Sequence, residues 1–242
     1  VCEDIWEHEP MLQAKHDGAN IMFNLNASPF HIEKMNERKE LLQARSIEGA
    51  MPIIYVNQVG GQDELVFDGG SMAIAADGEV YVQSDCYVED LTPVEISVEA
   101  GRCEIVSRLP VPEHEFLDSV YQALVTGVRD YANKNGFKGV VLGLSGGIDS
   151  ALTLAIAVDA LGHDRVEAVM MPFKYTSNLS KDDAKDQAQR LGVRYKSISI
   201  ESIFDGFMAA LADEFKGLER DTTEENLQAR CRGVLLMAIS NK

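Results

Sequence analysis

The stretch that decides the fold of this chain is residues 139–150, GVVLGLSGGIDS. Its first five residues predict a short buried strand, and a turn rich in glycine and serine follows directly. Residues 151–161 are mostly apolar and predict a helix. Backbone N–H groups at a helix start favour an anion, and glycines let the backbone approach it closely. Residues 143–150 therefore predict a turn that holds a phosphate group.

The same alternation of strand and helix continues along the chain. Residues 166–170 and 195–200 predict two further strands, and residues 180–191 predict the helix between them. Short strands that alternate with helices are typical of a parallel, doubly wound sheet. The sequence therefore predicts an α/β fold for this half of the chain.

Two of the predicted helices allow finer expectations. Apolar residues recur at helical spacing before the first strand, so their stripe should lie in the core. The stripe consists of Phe116, Val120, Leu124, Val128 and Tyr131. Ser180, with Asp183 three residues later, is close to a capping box at the start of the next helix.

Residues 1–107 have a different pattern, because short strand candidates surround one long polar helix from Lys34 to Gly49. Gly49 is a plausible C-cap of that helix. Gly60-Gly61-Gln62-Asp63 predicts a turn. Asp77-Gly78 predicts the turn of a hairpin.

The boundary between the two patterns is marked by prolines at 110 and 112. Two prolines in four residues fit neither a helix interior nor a central strand. We therefore expect one domain at 1–107, a linker at 108–113 and a second domain at 114–242.

The composition is typical of a globular protein, with 45% hydrophobic and 25% charged residues. The formal net charge of −17 argues against a nucleic-acid partner, because phosphate neutralisation requires a basic face. No apolar run approaches the roughly 20 residues of a membrane span. The four cysteines form no C-x-x-C pair, so neither a zinc site nor a disulfide framework is predicted, and a reducing cytoplasm is expected.

The turn differs from the P-loop of kinases in a way that bears on its chemistry. A P-loop requires a lysine after its glycines, whereas Ile148 and Asp149 follow Gly147 here. A carboxylate beside a phosphate needs a cation between them, so we interpret Asp149 as a Mg²⁺ contact on a pyrophosphate. The alternative is a glycine-rich turn that binds nothing.

The octapeptide GLSGGIDS resembles the signature of the ATP pyrophosphatase (PP-loop) superfamily. Members of that superfamily cleave ATP to AMP and pyrophosphate while they adenylate an acceptor. The resemblance implies that the whole octapeptide contacts ATP and that Asp149 also lies near Mg²⁺. The implied ATP-binding residues are Gly143, Leu144, Ser145, Gly146, Gly147, Ile148, Asp149 and Ser150.

Two later stretches, 171–177 (MPFKYTS) and 224–241 (EENLQARCRGVLLMAISN), are similar to those of glutamine-dependent NAD synthetases. Phe173 departs mildly from the family, which often has serine there. The resemblance implies that Asn226 and Arg230 face the substrate deamido-NAD. From the residues alone, the alternative is a capped surface helix with two solvated arginines.

The beginning of the chain resembles the nucleophile elbow of nitrilase-type amidases, C-E-D-x-W over residues 2–6. The block N-A-S-P-F, whose serine is Ser28, is followed by Lys34 and Arg38, as in glutaminase domains fused to NAD synthetases. The resemblance implies that Cys2 is the nucleophile and that Ser28 and Lys34 bind glutamine. Taken alone, a cysteine is more often a small buried apolar residue.

Amidases of this kind use a glutamate as general base and a lysine near the oxyanion, and both precede the cysteine in the family. One residue precedes Cys2 in this sequence, so neither role is assigned to Glu3, Glu7 or Lys15. The family also continues beyond S-N-K, the last three residues. We therefore expect residues 1–242 to be part of a longer polypeptide.

Together, these resemblances imply the fold and function of a glutamine-dependent NAD synthetase. The expected fold is the distal part of a nitrilase-type α-β-β-α sandwich followed by a Rossmann-like PP-loop domain. The expected reaction is the ATP- and Mg²⁺-dependent amidation of deamido-NAD with ammonia from glutamine, in a homo-oligomer that is a dimer or larger. Two alternatives remain open: another PP-loop amidotransferase, or an amidase with a non-catalytic nucleotide-binding domain.

Overall fold

Two units share the 242 residues, one of residues 1–131 and one of residues 132–242. The structure is a computed structural model that describes residues 2–112 and 115–242. The predicted linker at 108–113 ends on residue 113, which lies with residue 114 outside the described residues, and it stays a prediction. No helix in the described ranges is both long and apolar enough to cross a lipid bilayer.

The first unit opens with a 3-10 helix, Cys2–Trp6, and continues with a mixture of strands and helices. In order, they are α1 (Glu9–His16), β1 (Met22–Asn26), α2 (Lys34–Gly49), β2 (Ile53–Asn57), β3 (Val59–Gln62), β4 (Leu65–Asp68), β5 (Met72–Ile74), β6 (Val80–Gln83), β7 (Ile96–Glu99), β8 (Arg102–Ile105) and α3 (Phe116–Lys134), whose last turn belongs to the second unit. The helix predicted from Lys34 to Gly49 and the hairpin predicted around Asp77-Gly78 are both confirmed.

A four-stranded sheet in the order β1-β2-β5-β6 forms the centre of this unit. Strands β1 and β2 are parallel, and the other two pairs are antiparallel. Two separate hairpins complete the strands of this unit: β3-β4 lies between β2 and β5 in sequence, and β7-β8 follows β6. Apolar side chains from the 3-10 helix, α1, α2 and the sheet form one buried cluster. Its members are Ile5, Met11, Leu42, Met51, Ile53, Tyr55, Met72 and Ile74.

The predicted C-cap at Gly49 is wrong, because Gly49 is the last helical residue and Ala50 takes the left-handed conformation with a φ of +46°. Helix packing explains the glycine instead. A Cβ on Gly49 would lie 2.5 Å from Sδ of Met11 in α1. Gly49 therefore lets α1 pack closely on α2.

The predicted turn at residues 60–63 is also partly wrong, because Gly60 and Gly61 lie within strand β3. A Cβ on Gly61 would lie 3.3 Å from the backbone of Gly127 in α3. Gly61 therefore lets β3 pack closely on α3.

The prediction that the apolar stripe of α3 lies in the core is partly wrong. Its residues Phe116, Leu124 and Tyr131 are about half exposed. The buried residues of α3 are Ala123, Val125, Thr126 and Ala132.

The second unit alternates strands and helices as predicted. Its elements are β9 (Val140–Gly143), α4 (Ile148–Leu161), a 3-10 helix (His163–Arg165), β10 (Val166–Met170), α5 (Asn178–Arg190), β11 (Arg194–Ser197), α6 (Glu201–Ala210) and α7 (Thr222–Ser240). The three strands form a parallel sheet in the order β11-β10-β9. Every residue of β10 is buried, whereas β9 is half-buried rather than buried as predicted.

The predicted cap of α5 at Ser180 is wrong by three residues. Ser177 is the N-cap, and its Oγ accepts the backbone N–H of Ser180 at 3.0 Å. Ser180 is instead the third residue of the helix. Serine is a common N-cap residue, and this segment has serines at both 177 and 180. The sequence alone therefore could not show which of the two caps the helix.

Candidate functional site

The loop at residues 143–150 begins where β9 ends and leads directly into α4. Leu144 anchors it, because this side chain is 1% exposed and its backbone N–H donates to the carbonyl of Val169 in β10 at 3.0 Å. The next residues turn away from the sheet toward solvent. The end of β9 therefore places the loop at the carboxyl edge of a parallel sheet, where α/β proteins bind ligands.

Two serine hydroxyls hold the shape of this loop. Oγ of Ser145 lies 3.0 Å from Oγ of Ser150, and it accepts the N–H of Gly147 at 3.2 Å. Ser150 in turn donates to the carbonyl of Gly147 at 2.9 Å. Gly147 is the N-cap of α4, so the first N–H groups of that helix have no carbonyl partner within it. The loop thus presents the first N–H groups of α4, which suit an anion.

Gly146 fits against the start of α5 in a conformation that few other residues adopt. Its φ is +82°, and an added Cβ would overlap the backbone carbonyl oxygen of Ser180. The first turn of α5, capped by Ser177, therefore supports the loop from one side. This support was not predicted, because the two residues lie 34 positions apart.

Asp149 lies in the first turn of α4 and is exposed. Its carboxylate forms no hydrogen bond or ion pair with any residue that the structure describes. Residues 2–112 and 115–242 contain no cluster of three or more acidic, histidine or cysteine side chains able to hold a metal. A single available carboxylate fits Mg²⁺, which is commonly held by one or two carboxylates together with substrate phosphates and water.

Helix α7 carries the two residues predicted to face deamido-NAD. Asp221 caps the helix in a complete capping box with Glu224, and the hydrogen bonds from Thr223 lower the pKa of the Asp221 carboxyl. Asn226 and Arg230 are exposed and four residues apart, so they share one face of the helix. Within the described part of the chain, neither side chain makes a hydrogen bond or ion pair, and neither is brought to the loop by such a contact.

Arg232 is not a solvated arginine, as the sequence allowed, because its Nε donates to the carbonyl of Met171 at 3.2 Å. Cys231 beside it is 1% exposed and packs in a cluster with Met171, Phe173 and Phe204. Phe173, the residue that departs from the family pattern, is therefore a core residue. These contacts attach α7 to the segment that follows β10.

In the first unit, Cys2 opens the 3-10 helix with a φ of +50° and is half-buried. A positive φ is uncommon for residues other than glycine. Arg45 of α2 holds this helix by donating to the carbonyls of Ile5 at 3.1 Å and Trp6 at 2.8 Å. A buried arginine therefore holds the end of the helix that begins at Cys2.

Of the two residues predicted to bind glutamine, Ser28 lies in the loop between β1 and α2, and Lys34 follows that loop. Ser28 is 7% exposed. Lys34 is the first residue of α2, and its Nζ lies 3.9 Å from the centre of the Trp6 ring and 3.2 Å from the Glu37 carboxylate. Lys34 thus contacts the same 3-10 helix that carries Cys2.

A buried polar network lies beside these residues, and sequence analysis assigned it no role. It consists of Arg38, Asn57 and Asp68, which are 1%, 6% and 3% exposed. Arg38 stands in the block quoted above, yet nothing in the spacing indicated that it is buried. A charged residue four positions after Lys34 on a helix was the available signal, since it shares the face of Lys34.

The pKa values of Tyr55 and Cys86 show how burial and charge act in this region. The pKa of the Tyr55 hydroxyl is raised, because the effect of its burial exceeds the opposing effects of Arg38 and Ser28. Burial, followed by the charge of Asp68, raises the pKa of the Cys86 thiol to about 12. Cys86 stays protonated at neutral pH and is a poor nucleophile.

A cavity of about 770 Å³ lies next to this network within the first unit. Asp68, Gln83 and Cys86 form part of its wall, and residues of α2 and α3 form other parts. The cavity is therefore polar on the side where the network ends.

Two family models match the chain in succession. The model for carbon-nitrogen hydrolases matches residues 1–102, and the model for NAD synthases matches residues 120–242. The second match covers slightly more than half of the sequence. The chain belongs to the NAD synthase family. The NAD synthase match contains the loop at 143–150 and helix α7, whereas Cys2, Ser28 and Lys34 lie in the hydrolase match.

Similar proteins extend along the whole chain. Curated relatives described as glutamine-dependent NAD(+) synthetase are 46% identical over 242 residues in Acinetobacter baylyi and 41% identical over 278 residues in Thermotoga maritima. They match 100% of this chain, but only 44% and 48% of their own lengths are covered. The chain therefore spans about half the length of the curated relatives it matches.

A solved structure gives the same result for the fold. Glutamine-dependent NAD+ synthetase from Acinetobacter baumannii, in complex with adenosine diphosphate, matches with a TM-score of 0.93 and 46% identity. The match covers 99% of this chain and 45% of that one. The predicted fold class, a nitrilase-type part followed by a PP-loop α/β part, is confirmed.

Proposed function

We propose that the protein forms NAD from deamido-NAD, ATP and ammonia, and that it obtains the ammonia by hydrolysing glutamine. One observation carries the proposal: a single chain joins a carbon-nitrogen hydrolase part to an NAD synthase part whose loop at 143–150 leads into the start of helix α4. The relatives described as glutamine-dependent NAD(+) synthetase support it, and the ADP complex of the Acinetobacter baumannii protein supports a nucleotide at this fold.

The synthetase part would act by positioning two substrates and balancing charge. Donors at residues 143–150 would bind the phosphates of ATP, while Asn226 and Arg230 would bind deamido-NAD through polar and anionic groups. The pyridine carboxylate attacks the α-phosphate, and pyrophosphate leaves. Ammonia then attacks the resulting mixed anhydride, and AMP leaves as the amide forms.

Mg²⁺ is part of this proposal because pyrophosphate carries several negative charges. Asp149 would hold the ion through its carboxylate, and the bound ion would supply neutralising charge at the phosphate oxygens. The N–H groups at the start of α4 supply partial positive charge at the same place. Asp149 is therefore proposed as the metal-binding residue of the loop.

The glutaminase part would use Cys2 as its nucleophile. The Cys2 sulfur forms a bond to the side-chain carbonyl carbon of glutamine, the C–N bond breaks, and the nitrogen leaves as ammonia with the thiol proton. Water then hydrolyses the thioester to glutamate and restores the thiol. Ser28 and Lys34 would bind the glutamine, and the loop between β1 and α2 would set their spacing.

We also propose that the protein forms a homo-oligomer and acts in a reducing cytoplasm. The homo-oligomer is proposed from the resemblance to glutamine-dependent NAD synthetases. All four cysteines are free thiols, which supports a reducing compartment. Light scattering of the purified protein tests the assembly, and a monomer would contradict it.

The experiment supplies the full-length protein with ATP, Mg²⁺ and deamido-NAD, with either glutamine or an ammonium salt as the nitrogen source. AMP, pyrophosphate and NAD are measured together. Equal yields of AMP and NAD are expected from both nitrogen sources. Cys2→Ala should abolish the reaction with glutamine and leave the reaction with ammonium.

Cys103→Ala is the matched control, because Cys103 is also a half-buried free thiol but lies in β8. It should retain both reactions. Formation of AMP without NAD would show that the protein adenylates an acceptor other than deamido-NAD, as another PP-loop amidotransferase would. Glutamine hydrolysis without AMP would leave an amidase with a non-catalytic nucleotide-binding part.

A further inference from the structure

Asp68, the last residue of β4, gives each of its two carboxylate oxygens a different partner. Oδ2 accepts from the Arg38 guanidinium, and Oδ1 accepts from the Asn57 side-chain amide at 3.4 Å. Arg38 lies in helix α2, whereas Asn57 ends strand β2. One buried carboxylate therefore joins two elements of the first unit.

Both partners of Asp68 continue to a residue proposed to bind glutamine. Asn57 accepts the backbone N–H of Ser28 at 2.9 Å, and it donates to the Ser28 carbonyl at 3.3 Å. Arg38 donates from Nε to the backbone carbonyl of Lys34 at 3.3 Å. A continuous path of hydrogen bonds thus runs from Ser28 through Asn57, Asp68 and Arg38 to Lys34.

Neighbouring carbonyl groups hold the two partners in fixed orientations. The carbonyl of Gly69 accepts from Asn57 at 3.0 Å and from Arg38 at 3.5 Å. The Asn57 backbone N–H also donates to Ser71 Oγ at 3.0 Å. Because these groups are buried and paired, neither partner can change its orientation without leaving a polar group unsatisfied.

A buried ion pair is a poor device for stability alone, because burying two charges costs about as much as their attraction returns. It is a good device for geometry, since a planar guanidinium binds a carboxylate in a fixed orientation. We propose that Asp68 is a positioning residue that sets the spacing between Ser28 and Lys34, and through them the affinity for glutamine. This inference rests on the proposed glutaminase function.

The test compares the full-length protein with Asp68→Asn, using glutamine or an ammonium salt as the nitrogen source. Asparagine keeps the shape of the side chain but cannot accept from both Arg38 and Asn57 as a carboxylate does. The KM for glutamine should rise about tenfold, the equivalent of one hydrogen bond to a charged group. The kcat with glutamine and the rate with ammonium should change less than about twofold.

A second pair of variants separates positioning from stability. Arg38→Met leaves Asp68 buried without its cation, so the thermal midpoint should fall and the KM for glutamine should rise. Adding Asp68→Asn removes the unpaired charge, so the double variant should regain much of the midpoint while its KM stays high. A KM that returns together with the thermal midpoint would show a merely structural pair and overturn the inference.

Leu42→Ala is the matched control for lost stability, because Leu42 lies one turn after Arg38, is 1% exposed and packs in the apolar cluster. Its thermal midpoint should fall with no rise in KM. If Arg38→Met does not fold, the KM for glutamine of Asp68→Asn tests the inference by itself. An unchanged KM in Asp68→Asn, or equal losses with glutamine and ammonium, would overturn the inference. If Cys2→Ala keeps its rate with glutamine, the proposed function fails instead.

Discussion

At the scale of single residues, Gly146 occupies the most demanding position in the loop that we propose binds ATP. Its φ of +82° disfavours any side chain, and a Cβ would also overlap the Ser180 carbonyl. Gly146→Ala should therefore displace the loop, destabilise the protein by about 1–3 kcal/mol, and slow pyrophosphate release at least tenfold. Urea unfolding and a pyrophosphate assay with ammonium measure the two effects.

Gly162→Ala separates the effect of backbone strain from the effect of overlap with Ser180. Gly162 has nearly the same φ, +80°, but an added Cβ would meet nothing within 4 Å. This variant should lose stability from backbone strain alone, because a φ of +80° with a ψ of 151° is open to little but glycine, and it should keep its rate of pyrophosphate release. Equal loss of activity in the two variants would show that overlap with Ser180 is irrelevant.

At the scale of secondary-structure elements, the N-terminal turn of α5 supports the loop because Ser177 caps it. Ser177→Ala removes the acceptor for the Ser180 N–H, which costs about 1 kcal/mol for a typical cap. The first turn should then fray and loosen the support behind Gly146, so the KM for ATP should rise several-fold. Thermal unfolding and steady-state kinetics with ammonium measure both.

Ser180→Ala is the control for the cap, because it removes a hydroxyl that bonds Ser177 Oγ at 2.9 Å and leaves the capped backbone N–H in place. It should change stability and the KM for ATP less than Ser177→Ala does. The reverse order would favour the cap that the sequence pattern indicated at Ser180.

The elements themselves were largely predictable because their signals are local. The strand at 166–170 and the long helices α2 and α7 follow from apolar periodicity, turn residues and capping within a few positions. The errors arose where packing between elements decides. Gly49 resembles a helix C-cap in the sequence, but in the structure it lies in the helix and packs against Met11. The apolar stripe of α3 is half exposed, and it is the small residue Gly127 that lies close to Gly61 of β3.

At the scale of the whole molecule, the proposed activities belong to different units of the chain, so one can be removed without the other. Asp149→Asn should abolish NAD and pyrophosphate formation with either nitrogen source, because it removes the proposed Mg²⁺ ligand. Cys2 should still react with a glutamine analogue that alkylates amidase cysteines. Product assays and mass spectrometry of the labelled protein measure the two outcomes.

Asp182→Asn is the control for that change, since Asp182 is likewise an exposed aspartate near the start of a helix, here α5. It should keep NAD formation. Unchanged turnover in Asp149→Asn would remove the metal-binding role from Asp149, and loss of Cys2 labelling in the same variant would show that the two units depend on one another for their chemistry.

The sequence by itself determined the α/β class, the alternation of strands and helices between residues 139 and 200, and the loop at 143–150, because each depends on residues close together in the chain. It also identified Cys2, Ser28 and Lys34 as candidates through short motifs. Only the tertiary structure decided that Asp68 joins Asn57, 11 residues away, to Arg38, 30 residues away. Such contacts depend on which elements pack together, and hydrogen bonds between distant buried groups leave no periodic pattern in a single sequence.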